Sequence, residues 1–204
     1  PAEFHAQTAV ECALQLHPLV KDRLEEIERV ELRTQEPAVR IISKSGPLHN
    51  PADRDHCLQY MVAVPLLYGR LDAECYEDAF SRDPRLDALR AKMIVAEEPQ
   101  FTHAYYDPTQ RAIGNAVQVF FRDGSCTPLA TVHFPIGHRR RRGEGRPLLW
   151  RKFHEALATR FPAPRAQAIY GLCQDHRQFE ATAVNELMDL LSVEEPQPEE
   201  GSSR

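Results

Sequence analysis

Long apolar runs, an excess of basic residues and familiar catalytic motifs are all missing from this chain of 204 residues. No apolar run approaches the roughly 18 residues that a membrane-spanning helix needs, so the sequence predicts no membrane segment. Lys and Arg number 25 against 30 Asp and Glu, which gives a formal net charge of -5 and a pI near 6.0. Nucleic-acid-binding proteins usually show a strong basic excess, so we expect no nucleic-acid partner. There is also no Gly-rich phosphate loop, H-E-x-x-H or G-x-S-x-G motif.

Cysteines are few, odd in number and widely spaced, with no C-x-x-C pair. This spacing argues against a disulfide framework, a structural zinc site and an iron–sulfur cluster. We therefore expect no metal and no cofactor, and a reducing compartment such as the cytosol. The five cysteines are Cys12, Cys57, Cys75, Cys126 and Cys173.

The first ten residues, PAEFHAQTAV, lack the basic region and apolar stretch of a signal peptide, and they lack an initiator Met. From this we expect a fragment or a processed product. Its expected location is the cytoplasm, or the mitochondrial matrix if the source is eukaryotic.

The composition is that of an ordinary globular protein, 42% hydrophobic and 27% charged. Helical spacing predicts a helix over residues 5–17, and a run that is apolar on all sides predicts one buried helix over residues 55–69. Alternation indicates a strand in residues 28–35. Two β-rich runs in residues 116–135 flank Asp123-Gly124, which predicts a hairpin.

Helical patterns return in residues 147–161 and 163–175, followed by a last helix in ATAVNELMDLL. Helices, a mixed middle and further helices predict an α+β fold class. The acidic, Pro-rich tail, residues 193–204, is expected to be disordered.

The apolar run and the loop before it carry candidate catalytic residues. His56 and Tyr60 stand four apart, so on one helix they would share a face, where one could move a proton. The alternative is a satisfied core histidine and a tyrosine bonded to a carbonyl. His49 and Arg54 lie in the polar loop just before and are candidate substrate-binding residues.

The N-terminus contributes Glu3 and His5, which alone are weak evidence for a binding site. His103, Tyr105 and Tyr106, in FTHAYYDP, are interpreted as packing at a strand end.

Four consecutive arginines, Arg139–Arg142, lie between a predicted strand and a predicted helix. One interpretation is a solvated loop with salt bridges, which would contribute little. The functional alternative is that Arg139 and Arg140 bind a substrate carboxylate, because arginine grips carboxylates with two hydrogen bonds. No aromatic residues suited to base stacking lie within the run.

Several segments resemble the MmgE/PrpD family, and the resemblance extends over nearly all of residues 1–192. The DHCLQY and GHRRRR motifs are the most specific. The segments are PAEFHAQTAVE, LHNPADRDHCLQYMVAVPLLYG, YYDPTQRAIGNAVQVFFRDG and FPIGHRRRRGEGRPLL.

The resemblance implies a large all-helical domain beside a smaller α+β lid domain, assembled as a homodimer. It implies a cofactor-independent hydro-lyase that dehydrates 2-methylcitrate, a tricarboxylate, to 2-methyl-cis-aconitate in propionate catabolism. Siblings on the same fold include cis-aconitate decarboxylase, so a decarboxylase or isomerase is an alternative. A non-enzymatic dimerisation fragment is another.

Residue by residue, the resemblance matches Tyr60 to an active-site tyrosine of the decarboxylase. Glu3 falls where that relative has an active-site histidine, and His5 is a nearby alternative. The implied organisation is a helical junction segment (1–22), the lid domain (23–135), C-terminal helices that belong to the helical domain (136–192) and the tail. The chain alone is expected to be inactive.

Overall fold

The computed structural model describes residues 1–192, which form two compact units. The first unit is Pro1–Arg141, and the second begins at Arg142. The boundary falls inside the segment predicted as C-terminal helices, residues 136–192. The predicted tail, residues 193–204, lies outside the described residues.

A four-stranded mixed sheet organises the first unit, with the strand order β2-β1-β3-β4. β1 runs parallel to β2 and antiparallel to β3, and β3 pairs antiparallel with β4. The predicted hairpin is confirmed, because Gly124 turns the chain with φ 83° and Phe121 N donates to Ser125 O at 2.9 Å. The strands are β1 Ile27–Thr34, β2 Met93–Glu97, β3 Asn115–Phe121 and β4 Ala130–Val132.

Seven α-helices belong to the described part of this unit, and together with the sheet they confirm the α+β class. They are α1 Gln7–Val20, α2 Glu36–Ile41, α3 Pro51–Asp55, α4 Leu58–Tyr68, α5 Asp78–Ser81, α6 Pro84–Arg90 and α7 Pro99–Tyr106.

The core forms where α1 packs against α4 and β3. Every residue of α4 from Leu58 to Leu67 is buried, as expected for a helix that is apolar on all sides. Complete burial of a side chain such as Leu66 stabilises the fold by about 1.5–3 kcal/mol. α1 therefore lies in the same unit as the sheet, and its place at a domain junction stays a prediction.

The buried helix predicted over residues 55–69 is confirmed as α4, but its predicted start is wrong, because a separate helix, α3, ends at Asp55. Asn50 caps α3 by accepting a hydrogen bond from Asp53 N at 2.9 Å, and His56 ends that helix. Cys57 is extended, and Leu58 N donates to Ile42 O at 2.8 Å. A tertiary hydrogen bond thus overrides the local apolar pattern.

Two further elements, a strand and a helix, differ from the sequence prediction. β2 was not predicted, because its short run MIVAE shows no clear alternation and becomes a strand by pairing with β1. The segment expected to pack at a strand end is instead α7, whose capping residue Glu98 accepts from Gln100 N at 3.4 Å.

The second unit is helical and has a small core of its own. Leu157, Ala166 and Ile169 are buried there, and the rings of Trp150 and Tyr170 lie 5.6 Å apart. Its helices are α8 Arg142–Ala158, α9 Ala163–Gln174, α10 His176–Ala181 and α11 Val184–Leu191.

Candidate active site

The turn that precedes α1 holds the strongest cluster of polar side chains. Phe4–Ala6 form one 3₁₀ turn, and Glu3 caps it by accepting a hydrogen bond from His5 N at 2.8 Å. The buried Asn115, at the start of β3, donates to His5 O at 2.9 Å. The sheet therefore fixes the backbone from which His5 projects.

Glu3, His5 and Tyr105 form a hydrogen-bonded relay. Glu3 Oε1 lies 2.8 Å from His5 Nδ1, and His5 Nε2 lies 3.2 Å from the hydroxyl of Tyr105 on α7. A carboxylate only accepts hydrogen bonds, so Nδ1 carries a hydrogen and neutral His5 presents Nε2 as an acceptor. The relay can therefore take a proton at Nε2 while Glu3 stabilises the resulting imidazolium.

The relay is largely shielded from water, since the side chains of His5 and Glu3 are 10% and 12% exposed. Burial alone would raise the pKa of Glu3. Hydrogen bonds from the ring and backbone of His5, together with the charges that His5 and His56 carry when protonated, outweigh burial, so the pKa of Glu3 is lowered. Glu3 thus stays ionised and able to orient His5.

His56 does not share a helical face with Tyr60, which corrects the sequence interpretation. His56 ends α3 outside α4, its side chain is 52% exposed, and its Nδ1 lies 2.5 Å from Asp55 Oδ1. Its charge when protonated also contributes to lowering the pKa of Glu3. Its catalytic role stays a prediction.

The contacts of Tyr60 match the second of the two interpretations from the sequence, a core tyrosine that is hydrogen-bonded to a carbonyl. It is 2% exposed, and its hydroxyl donates to Cys75 O at 2.6 Å. Burial raises the pKa of Tyr60 to about 12, so it is a poor proton donor as it stands. The catalytic role suggested by the resemblance stays a prediction.

The two loop candidates differ in their surroundings. Arg54 is 3% exposed, donates from Nε to Tyr76 O at 2.7 Å and forms an ion pair with Asp78. These contacts brace the segment that follows α4. His49 is exposed, and its backbone N–H donates to Asp53 at 3.1 Å. Their roles as substrate ligands stay predictions.

The arginines of the run that lie in the first unit, Arg139–Arg141, make different hydrogen bonds. Arg139 and Arg140 are exposed, and each donates to the carbonyl oxygen of Thr109, at 3.2 and 3.1 Å. Arg141 donates to Glu11 and to Phe134 O, both at 2.7 Å. These contacts are of the structural kind. Carboxylate binding by Arg139 or Arg140 stays a prediction.

Tyr105 is the site residue that sequence reasoning missed. It lies 100 residues from His5 along the chain, so no local pattern connects them. Its segment was also expected to pack at a strand end, whereas α7 turns Tyr105 toward His5.

The side chains and helices of residues 1–192 bear on the class of site. No group of three or more His, Cys, Asp and Glu side chains in this range could hold a metal ion. None of its helices is long and apolar enough to cross a membrane.

Comparison with known proteins adds a family and named relatives. The model of the MmgE/PrpD C-terminal domain matches residues 1–176. The chain is 51% identical over 196 residues to 2-methylcitrate dehydratase of Cupriavidus necator, covering 95% of this chain and 40% of that protein. It is 52% identical to the enzyme of that name from Salmonella typhimurium (95% and 41% covered) and 47% identical to the mitochondrial one of Yarrowia lipolytica (93% and 37%).

The chain therefore spans about 40% of the length of the curated relatives that it matches. The matched model covers most of both described units. This chain belongs to the MmgE/PrpD family and corresponds to its C-terminal domain.

Proposed function

We propose that this chain contributes to a hydro-lyase site that dehydrates 2-methylcitrate to 2-methyl-cis-aconitate, in propionate catabolism. The observation that carries the proposal is the shielded Glu3–His5–Tyr105 relay, in a chain about half identical to named 2-methylcitrate dehydratases. Because those relatives are more than twice as long, we also propose that a complete site needs residues beyond the described ones.

In this proposal His5 Nε2 removes the carbon-bound proton, and Glu3 stabilises the imidazolium. The hydroxyl leaves from the neighbouring carbon with a proton from Tyr105, which forms water and the carbon–carbon double bond. The imidazolium then returns its proton to the Tyr105 phenolate across the 3.2 Å contact, so the relay is restored. General acid–base groups of this kind typically contribute about 10²–10⁴-fold in rate.

The assembly and location are also proposals. We expect a homodimer, as the family resemblance implies. We expect the cytoplasm in a bacterium or the mitochondrial matrix in a eukaryote, which the naming of the Yarrowia lipolytica relative as mitochondrial supports.

The test is a hybrid enzyme in which this chain replaces the matching region of the Cupriavidus necator dehydratase. The hybrid is given 2-methylcitrate, citrate and cis-aconitate, while alkene absorbance and carbon dioxide are followed. We expect alkene formation, fastest from 2-methylcitrate. Carbon dioxide release from cis-aconitate without dehydration would instead support the sibling decarboxylase. A folded hybrid with neither activity would contradict the proposal.

A further inference from the structure

A pocket of about 320 Å³ lies beside the relay and holds an unpaired arginine. Its walls include Phe4, Tyr105, Tyr106, Arg111 and Ile113. The guanidinium of Arg111 is exposed and makes no hydrogen bond or ion pair with any of residues 1–192. This volume lies at the lower end of the range for ligand sites, about 300–1,000 Å³, and suits a small molecule.

The backbone of Arg111 is strained. With φ 47° it is the one residue besides glycine that has a positive φ among those the structure describes. Arginine gains nothing locally from this left-handed conformation, because its Cβ crowds the following carbonyl oxygen. Such conformations persist where the surroundings over-determine them, and they cluster at ligand-binding sites.

The turn that presents Arg111 is held from two sides. The carboxylate of Asp107 accepts from Thr109 N at 2.8 Å and from its hydroxyl at 2.7 Å, and Arg111 N donates to Asp107 O at 2.8 Å. From the other side, Arg139 and Arg140 both donate to Thr109 O. The arginine run therefore braces the turn and adds positive charge near it.

The nearby acidic groups are already engaged. Hydrogen bonds from Gln110 and Thr109 lower the pKa of Asp107 to about 2. Glu36 accepts from the hydroxyl of Tyr106 at 3.2 Å and lies 3.7 Å from Arg40. Neither carboxylate forms an ion pair with Arg111 in the described residues.

We infer that this pocket is a carboxylate subsite in which Arg111 grips one carboxylate of a tricarboxylate, next to Tyr105 and the relay. The inference rests on the proposed function for its substrate class. The planar guanidinium can bind both oxygens of a carboxylate, which explains why an arginine occupies a position where glycine or asparagine would be less strained. Tyr105 then connects the bound anion to His5.

The test uses the chain itself with citrate as the tricarboxylate probe, measured by isothermal titration calorimetry. Asparagine suits the left-handed backbone, so Arg111→Asn should keep or raise the melting temperature. The same variant should weaken citrate binding by about tenfold or more, because the charged fork is lost. Arg111→Lys should bind with intermediate affinity.

The matched control is Arg122→Gln, since Arg122 is exposed just after β3 and lies outside this pocket. It should bind citrate as the unmodified chain does. Equal weakening in Arg122→Gln, unchanged binding in Arg111→Asn, or no citrate binding by the unmodified chain would each overturn the inference. Alkene formation in the hybrid enzyme is a separate measurement. If no alkene forms, the proposed reaction is rejected, and the carboxylate subsite is still judged by the citrate-binding data.

Discussion

At the residue scale, the site combines side chains that sequence reasoning found with others that it missed. Glu3 and His5 are neighbours, and the family resemblance drew attention to both. Tyr105 and Arg111 could not be found that way, because each joins the site through folding. Tyr105 approaches His5 across 100 residues, and Arg111 stands out through its backbone conformation. Neither property leaves a local pattern.

Tyr60 shows how a motif match and its contacts can point in different directions. The resemblance matched it to an active-site tyrosine, whereas its hydroxyl is buried and donates to Cys75 O. The hydrophobic pattern predicted its burial correctly. It could not predict the carbonyl partner, which comes from the segment after α4.

We predict that Tyr60→Phe lowers the free energy of unfolding of the chain by about 1 kcal/mol or more. The variant leaves the buried Cys75 carbonyl without its donor. Urea unfolding followed by circular dichroism measures the change. Turnover of Tyr60→Phe in the hybrid enzyme separates the two interpretations of this residue. A change within a few-fold fits a core tyrosine, whereas a fall of about 10²-fold at unchanged stability fits the acid or base predicted from the resemblance.

At the scale of elements, long patterns were predicted better than short ones. α1, β1 and the β3–β4 hairpin follow from periodicity and turn residues. The break at His56–Cys57 and the strand β2 do not, because both depend on tertiary hydrogen bonds. The loop between α3 and α4 therefore separates His56 from Tyr60, although the two were expected on one face.

The end of α4 offers a test of how elements fit together. Gly69 has φ 68°, and its N–H donates to Pro65 O at 2.9 Å. A Cβ at this position would lie 2.7 Å from the ring of His17 on α1. That ring is held by a 2.9 Å contact between Nδ1 and Leu66 O, so it cannot yield without losing a hydrogen bond.

We predict that Gly69→Ala lowers the melting temperature more than Gly124→Ala does. Both glycines have positive φ, but a Cβ at Gly124 would meet nothing within 4 Å. Gly124→Ala, the control, should therefore lose only the stability that a left-handed backbone costs alanine, about 1 kcal/mol. Gly69→Ala should lose this and also the stability that the clash with His17 costs. Calorimetric melting of both variants gives the difference. Equal losses would show that the α1–α4 contact yields freely.

At the scale of the whole molecule, this member of the MmgE/PrpD family consists of an α+β unit and a helical unit within its described residues, 1–192. Composition and pattern predicted the α+β class, but the boundary at Arg141–Arg142 divides the arginine run and was not predicted. Three arginines of the run stabilise the fold of the first unit. Arg139 and Arg140 donate to Thr109 O, and Arg141 donates to Glu11 and to Phe134 O. These hydrogen bonds within the chain account for the contacts of Arg139–Arg141 without a nucleic-acid partner.

The central claim is that the Glu3–His5–Tyr105 relay moves protons during dehydration, and the turnover of His5→Gln in the hybrid enzyme tests it most directly. Dehydration of 2-methylcitrate is followed by alkene absorbance, with Arg122→Gln as the surface control. We predict that His5→Gln lowers kcat by about 10²-fold or more, while the melting temperature stays within a few degrees and the control is unaffected. A His5→Gln hybrid that retains the kcat of the unmodified hybrid would contradict the account.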